Sequence, residues 1–103
     1  MNEITEKEFE KKICGGKVIV DFWAKWCGPC LLLTPILERF EKKFSNVSFV
    51  KCNVDSNPDF VSKFNIMSIP VLIMFKECKE IDRIIGLIPE EELVKKIEIF
   101  SKL

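Results

Sequence analysis

Two cysteines with two residues between them, in Trp26-Cys27-Gly28-Pro29-Cys30, carry the chemistry most readily read from this chain. They follow the apolar run Val18-Ile19-Val20-Asp21-Phe22-Trp23-Ala24, and a helical pattern begins immediately after them. A thiol at a helix N-terminus is biased toward its nucleophilic thiolate, because unpaired amides and the macrodipole favour negative charge there. Cys27 is therefore expected at or just before the first turn, as the exposed attacking group. Cys30 falls on nearly the same helix face and is expected to close a disulfide with Cys27, making the stretch a dithiol/disulfide redox site. Gly28 would let a partner backbone approach, and Pro29 would stiffen the turn between the sulfurs. A zinc site would need a second ligand pair. The sequence has no other CxxC and no histidine, so no metal is expected.

Asp21 is a carboxylate within an otherwise apolar strand. Burial there is costly unless the group is used, and it would raise the pKa toward neutrality, which suits proton exchange with a thiol. The plain alternative is a strand-end residue with its head in water. Lys51 stands in a similar apolar run and would be the counter-charge if the two strands are neighbours; otherwise it is a lysine snorkelling to solvent. Ile69-Pro70 leads from a loop into a strand, a place compatible with a cis peptide. Trp23 is expected to pack, whereas Trp26 offers a flat apolar contact surface. Cys14, Cys52 and Cys78 read as isolated thiols, since five cysteines cannot all pair within one chain and their scatter is unlike a secreted disulfide framework. Cys14 is expected to be a small apolar filler. Cys52 should point into the core, away from the side of its neighbour Lys51.

These residues need elements to hold them. Thr5-Glu6-Lys7-Glu8 has the form of a capping box, and Phe9 and Ile13 give the helix after it one apolar stripe, stopped by Gly15-Gly16. Asn2 to Ile4 is a candidate edge strand. Lys17 to Ala24 is apolar on both faces, as a central strand covered by helices should be. From Pro29 to Phe44 the period is helical, with Leu33, Ile36, Leu37, Phe40 and Phe44 on one face and a kink expected at Pro35. Val47 to Val54 is a strand. Asn57-Pro58 opens a short helix buried through Val61 and Phe64. Val71 to Lys76 and Glu80 to Ile85 form a hairpin, with Gly86 closing it. Pro89 starts a last helix with Leu93, Val94, Ile97, Phe100 and Leu103 inward. The order β-α-β-α-β-α-β-β-α implies an α/β domain with a mostly parallel sheet between helix layers and an antiparallel hairpin at the end.

Composition excludes several classes of function. At 103 residues the chain is one domain, with no repeat or linker. Lys plus Arg and Asp plus Glu each number 16, so no net charge steers it to nucleic acid or an anionic membrane. No apolar run approaches the roughly 20 residues of a bilayer span. The N-terminal MNEITEKEFEKK lacks an apolar h-region, so no signal peptide is expected and the cytoplasm is. Without histidine, triad chemistry is ruled out.

Over essentially its whole length the chain resembles the thioredoxin family. The likeness rests on Val20-Asp21-Phe22-Trp23-Ala24, the Trp-Cys-Gly-Pro-Cys site, Pro35, Asn53-Val54-Asp55 with Asn57-Pro58, Ser68-Ile69-Pro70, Phe75 and Gly86. It implies a thioredoxin fold over residues 1–103, with a central mixed sheet of about five strands and about four flanking helices. It further implies a protein-disulfide reductase in which Cys27 attacks and Cys30 resolves the mixed disulfide. Asp21, helped by Lys51, would assist proton transfer at Cys30. Pro70 would be cis against the sulfurs, and the Ile69 backbone would pair with an extended substrate. Trp26, Gly28, Pro29, Ile69, Pro70 and Gly86 would form a shallow docking surface. The implied partners are disulfide-containing proteins and a thioredoxin reductase, commonly an NADPH-dependent flavoprotein, acting on a monomer that needs no cofactor of its own. Two departures stand out. Val71 follows the proline where the family usually has Thr, and Cys78 stands in the hairpin turn where it usually has Gly. If that turn position needs positive φ, cysteine is strained there or the turn differs.

Overall fold

The computed structural model describes residues 1–103. Its elements are β1 (Asn2–Glu3), α1 (Glu6–Ile13), β2 (Lys17–Trp23), α2 (Gly28–Lys43), β3 (Ser48–Asn53), α3 (Pro58–Lys63), β4 (Val71–Lys76), β5 (Lys79–Ile85) and α4 (Glu90–Ser101). This is the expected element order. Glu8 caps α1 as the sequence implies, its carboxylate accepting from the Thr5 N–H at 3.1 Å and hydroxyl at 3.0 Å. Pro35 lies inside α2, which continues to Lys43.

The strands form one mixed five-stranded sheet in the order β1-β3-β2-β4-β5. β1, β3 and β2 run parallel, as the intervening helices require. β4 lies antiparallel to β2 itself, and β5 antiparallel to β4. The sheet is thus less parallel than the alternation of elements implies. β4 begins at Val71, opposite Phe22, so after α3 the chain re-enters the sheet at the same end at which β3 leaves it.

Side-chain alternation along the strands divides the core in two. Val18, Val20 and Phe22 of β2, with Val50 and Cys52 of β3, face α1 and α3 and meet Phe9, Ile13 and Phe60. Ile19 of β2, Phe49 of β3 and Leu72 of β4 face α2 and α4 and meet Leu33, Leu37, Phe40, Leu93 and Ile97. Phe9 anchors the first layer, with its ring centroid 4.5 Å from Phe60, 5.1 Å from Phe64 and 5.5 Å from Phe75. Phe60, not Val61 or Phe64, is the fully buried side chain of α3. Leu103 falls past the end of α4 and is exposed.

Asn57 occupies the N-cap position of α3 as expected, but its side chain caps nothing there. Its Oδ1 accepts from the Glu6 N–H at 3.1 Å and its Nδ2 donates to the Asn53 carbonyl at 2.9 Å. One buried amide thus ties the first turn of α1 to the end of β3.

The hairpin between β4 and β5 pairs Lys76 with Lys79, leaving Glu77 and Cys78 as a two-residue turn. Both have positive φ, +49° and +77°, the requirement of a type I′ turn. Cys78 therefore does occupy a left-handed position. It is joined by a disulfide to Cys14, which is exposed at the end of α1 rather than an apolar filler. The two lie 64 residues apart in the chain and only 4.2 Å apart between Cα atoms. Folding brings the end of α1 under the hairpin, and sequence spacing carries no trace of that approach. No helix is long and apolar enough to cross a membrane.

Candidate active site

The site is built where β2 ends and α2 begins. Cys27 is the N-cap of α2, and its Sγ accepts from the Cys30 N–H at 3.2 Å. Pro29 stands in the first turn, where its missing N–H leaves no bond unmade. Cys27 and Cys30 form a disulfide with their Cα atoms 5.3 Å apart. Cys30 is fully buried, and Cys27, expected to be exposed, keeps only 5% of its surface open. The cover comes from the bond to Cys30 and from Ile69, whose carbonyl oxygen lies 3.9 Å from the Cys27 sulfur across 42 residues of chain. Gly28 and Pro29 remain exposed beside it. A Cβ added at Gly28 would meet nothing within 4 Å, so the chain's own packing does not demand glycine there.

Around the sulfurs the surface is flat and apolar. Trp26 is 70% exposed, and its indole Nε1 donates to Asp55 Oδ2 at 2.9 Å. Asn53 holds the Asp55 backbone in an Asx turn, with Oδ1 accepting from the Asp55 N–H at 2.8 Å. Trp26, Val54, Val61, Ile66, Met67 and Ile69 line a shallow groove of about 170 Å³. Met67 is 91% exposed, an apolar side chain that sequence reasoning passed over. Asp55 as a partner of Trp26 lies outside the sequence expectation, although Asn53 two residues before it is the mark of such a turn. The Ile69–Pro70 peptide is cis. Gly86, with φ +83°, donates its N–H to the Pro70 carbonyl at 2.8 Å, which fixes the end of β5 to that loop.

Asp21 lies on the α2 side of β2, in register with Lys51 of β3 and Leu72 of β4. It is completely buried, and neither carboxylate oxygen has a hydrogen-bond partner. Burial pushes its pKa up to about 7; Lys51 pulls it down somewhat and Glu3 adds to the rise. The two strands are neighbours, and Lys51 acts on Asp21 as a counter-charge through space, without a salt bridge. Its Nζ sits 4.5 Å from the centroid of the Trp23 ring, two residues along the same face. A half-buried ammonium gains from the ring while keeping contact with water, which pairing with a fully buried carboxylate would deny it. Trp23 itself packs, as expected, with its Nε1 donating to Glu3 Oε1 at 3.1 Å. Cys52 is the one free cysteine, buried with its thiol pushed up to about 12 by desolvation, so it is inert.

The family model described as Thioredoxin matches residues 1–99. A thioredoxin of Chlamydia caviae is 42% identical over 98 residues, covering 95% of this chain and 96% of that protein. One of Alicyclobacillus acidocaldarius is 48% identical over 92 residues, covering 87% and 88%. Among solved structures, Plasmodium falciparum thioredoxin superposes with a TM-score of 0.90 at 33% identity, covering 96% of this chain and 98% of that one. The oxidised form of mitochondrial thioredoxin 3 of Saccharomyces cerevisiae gives 0.88 at 33% identity, covering 96% and 94%. A thiol pair at the start of a helix, closed into a disulfide beside an apolar surface, is equipped to exchange one disulfide for another. Geometry and relatives agree: this chain belongs to the thioredoxin family and is a thiol–disulfide oxidoreductase, a protein-disulfide reductase working through Cys27 and Cys30.

Proposed function

We propose that Cys27 is the attacking and Cys30 the resolving thiol of this reductase, with Asp21 as the proton acceptor beneath them. In the reduced protein, the Cys27 thiolate attacks one sulfur of a substrate disulfide and expels the other as a thiolate. Cys30 then loses its proton to Asp21 and attacks Cys27 Sγ. The second substrate thiolate leaves, and the Cys27–Cys30 disulfide remains. The observation that carries this reading is the placement of Cys27 as the N-cap of α2, its sulfur accepting the Cys30 N–H. The same amide that holds the sulfur favours its thiolate. The two unpartnered oxygens of Asp21 and its pKa near 7 support the relay, since such a carboxylate both takes and returns a proton at neutral pH.

Trp26, Ile69 and Pro70, with Gly28, Pro29 and Gly86 around them, would receive an extended substrate segment, the Ile69 backbone pairing with it. Lys51 acts on Asp21 through space, moderating the rise in its pKa. The substrates are disulfide-containing proteins, and a thioredoxin reductase, commonly an NADPH-dependent flavoprotein, returns the electrons. We read the chain as a cytoplasmic monomer serving electron transport and cell redox homeostasis, without nucleic-acid or membrane partners. Reduction of insulin by dithiothreitol tests the reading. The protein should accelerate it and Cys27→Ser should abolish the acceleration; activity retained in that variant would overturn the assignment.

A further inference from the structure

We propose that Cys14 and Cys78 form a second redox site, a clasp between α1 and the β4–β5 hairpin that is opened by the Cys27/Cys30 dithiol of another copy of the chain. The proposal rests on the assignment of Cys27 as the attacking thiol. Cys78 sits at φ +77°, where glycine would be unstrained and cysteine is disfavoured. What a cysteine adds at this position is a sulfur bonded to Cys14.

Three observations make the bond reversible and accessible. Both cysteines are exposed, and exposed disulfides belong to the labile class that thiols reach and reduce. They stand on the rim of a groove of about 410 Å³ floored by Phe9, Ile13, Phe64 and Phe75, so a sulfur can approach from outside. The backbone also holds the two segments together without the disulfide. The Cys78 N–H donates to the Ile13 carbonyl and the Glu77 N–H to the Gly16 carbonyl, each at 3.0 Å. The opened thiols therefore stay close and can re-form their bond.

The reductant must come from another molecule. The clasp adjoins the start of β2, whereas Cys27 follows its end, and a seven-residue strand separates them by roughly 20 Å. The Cys27 thiolate of one copy attacks a clasp sulfur of the other, forming an intermolecular disulfide and expelling the remaining clasp sulfur as a thiolate. Cys30 of the first copy, deprotonated, attacks Cys27 and expels the second. Two electrons pass, one disulfide is lost and one gained, and the two protons of the dithiol end on Cys14 and Cys78. Oxidised glutathione, a small disulfide, closes the clasp again by the reverse chemistry. Because the closed bond ties residues 64 apart, it restricts the unfolded chain and raises stability.

The test uses two variants. A Cys27→Ser, Cys30→Ser chain is treated with oxidised glutathione and carries only the clasp. A Cys14→Ala, Cys78→Gly chain, its turn suited to positive φ, is pre-reduced and carries only the dithiol. On mixing, alkylation and mass mapping should show both Cys14 and Cys78 becoming thiols, and the clasp chain's Tm should fall by roughly 10 °C or more. Insulin is offered to the same reductant in parallel. If insulin is reduced but the clasp persists, the bond is a permanent staple and the proposal is overturned. It is equally overturned if glutathione treatment never closes the clasp. If neither insulin nor the clasp is reduced, the assignment of Cys27 fails and this proposal fails with it.

Discussion

At the scale of single residues, Asp21 bears the sharpest consequences. Its folded pKa of about 7 lies above its ordinary value of 3.8, so the folded chain binds this proton more tightly than the unfolded one. The stability that follows is fully present below pH 3.8 and is lost as pH rises through 7, where a buried carboxylate without partners must ionise. Asp21→Ala should therefore be more stable than the wild type at pH 8, by at most about 4 kcal/mol from the ~1.4 kcal/mol that each pKa unit represents. The gain should vanish by pH 4 in urea titrations. The same variant should resolve mixed disulfides more slowly, by up to about a hundredfold, since a base is missing where Cys30 must lose its proton. A merely structural role would not raise stability while lowering rate. Asn57 makes the opposite case. Asn57→Ala strands the Glu6 N–H at a partly buried contact and should cost about 1 kcal/mol in chemical denaturation.

At the scale of elements, the site depends on β2 ending where α2 starts and on two distant turns closing over it. The loop at Ile69–Pro70 is held from the far side by Gly86, whose N–H reaches the Pro70 carbonyl at a φ of +83°. Gly86→Ala should cost about 1–2 kcal/mol, the ordinary penalty for a side chain in the left-handed region, and should loosen the loop over Cys27. Thermal unfolding would register the cost and insulin-reduction KM the loosening. At the opposite end, the hairpin places Cys78 in a left-handed turn position. With excess dithiothreitol keeping the clasp open, Cys78→Gly should stabilise the chain by about 1 kcal/mol; without reductant it should destabilise it, because the clasp cannot form. A reversal of sign with redox state is what separates turn strain from the disulfide's contribution.

At the scale of the whole molecule, what could be read from sequence was what local pattern determines. Leu33, Leu37 and Phe40 at helical spacing announced the buried face of α2, and the continuous apolar run of β2 announced a strand covered on both sides. Cys52 and Lys51 were assigned opposite faces by alternation alone, and the core clusters bear this out. What stayed illegible is whatever two remote segments do together. The direction of β4 against β2 is set by the return of the chain after α3. The cover over Cys27 is Ile69, and the partner of Cys14 lies in a hairpin that local patterning cannot bring to it. The pairing of β2 with β3 puts Lys51 beside Asp21, a condition the sequence leaves open, and the Trp23 ring near its ammonium depends on a packing detail that spacing does not express. The division of labour between Cys27 and Cys30 is the claim on which the rest depends, and trapping tests it most directly. A Cys30→Ser variant, reduced and mixed with a disulfide-bonded protein substrate, should accumulate a covalent adduct whose peptide map places the bond at Cys27. An adduct at any other cysteine, or undiminished turnover with no adduct, would contradict it.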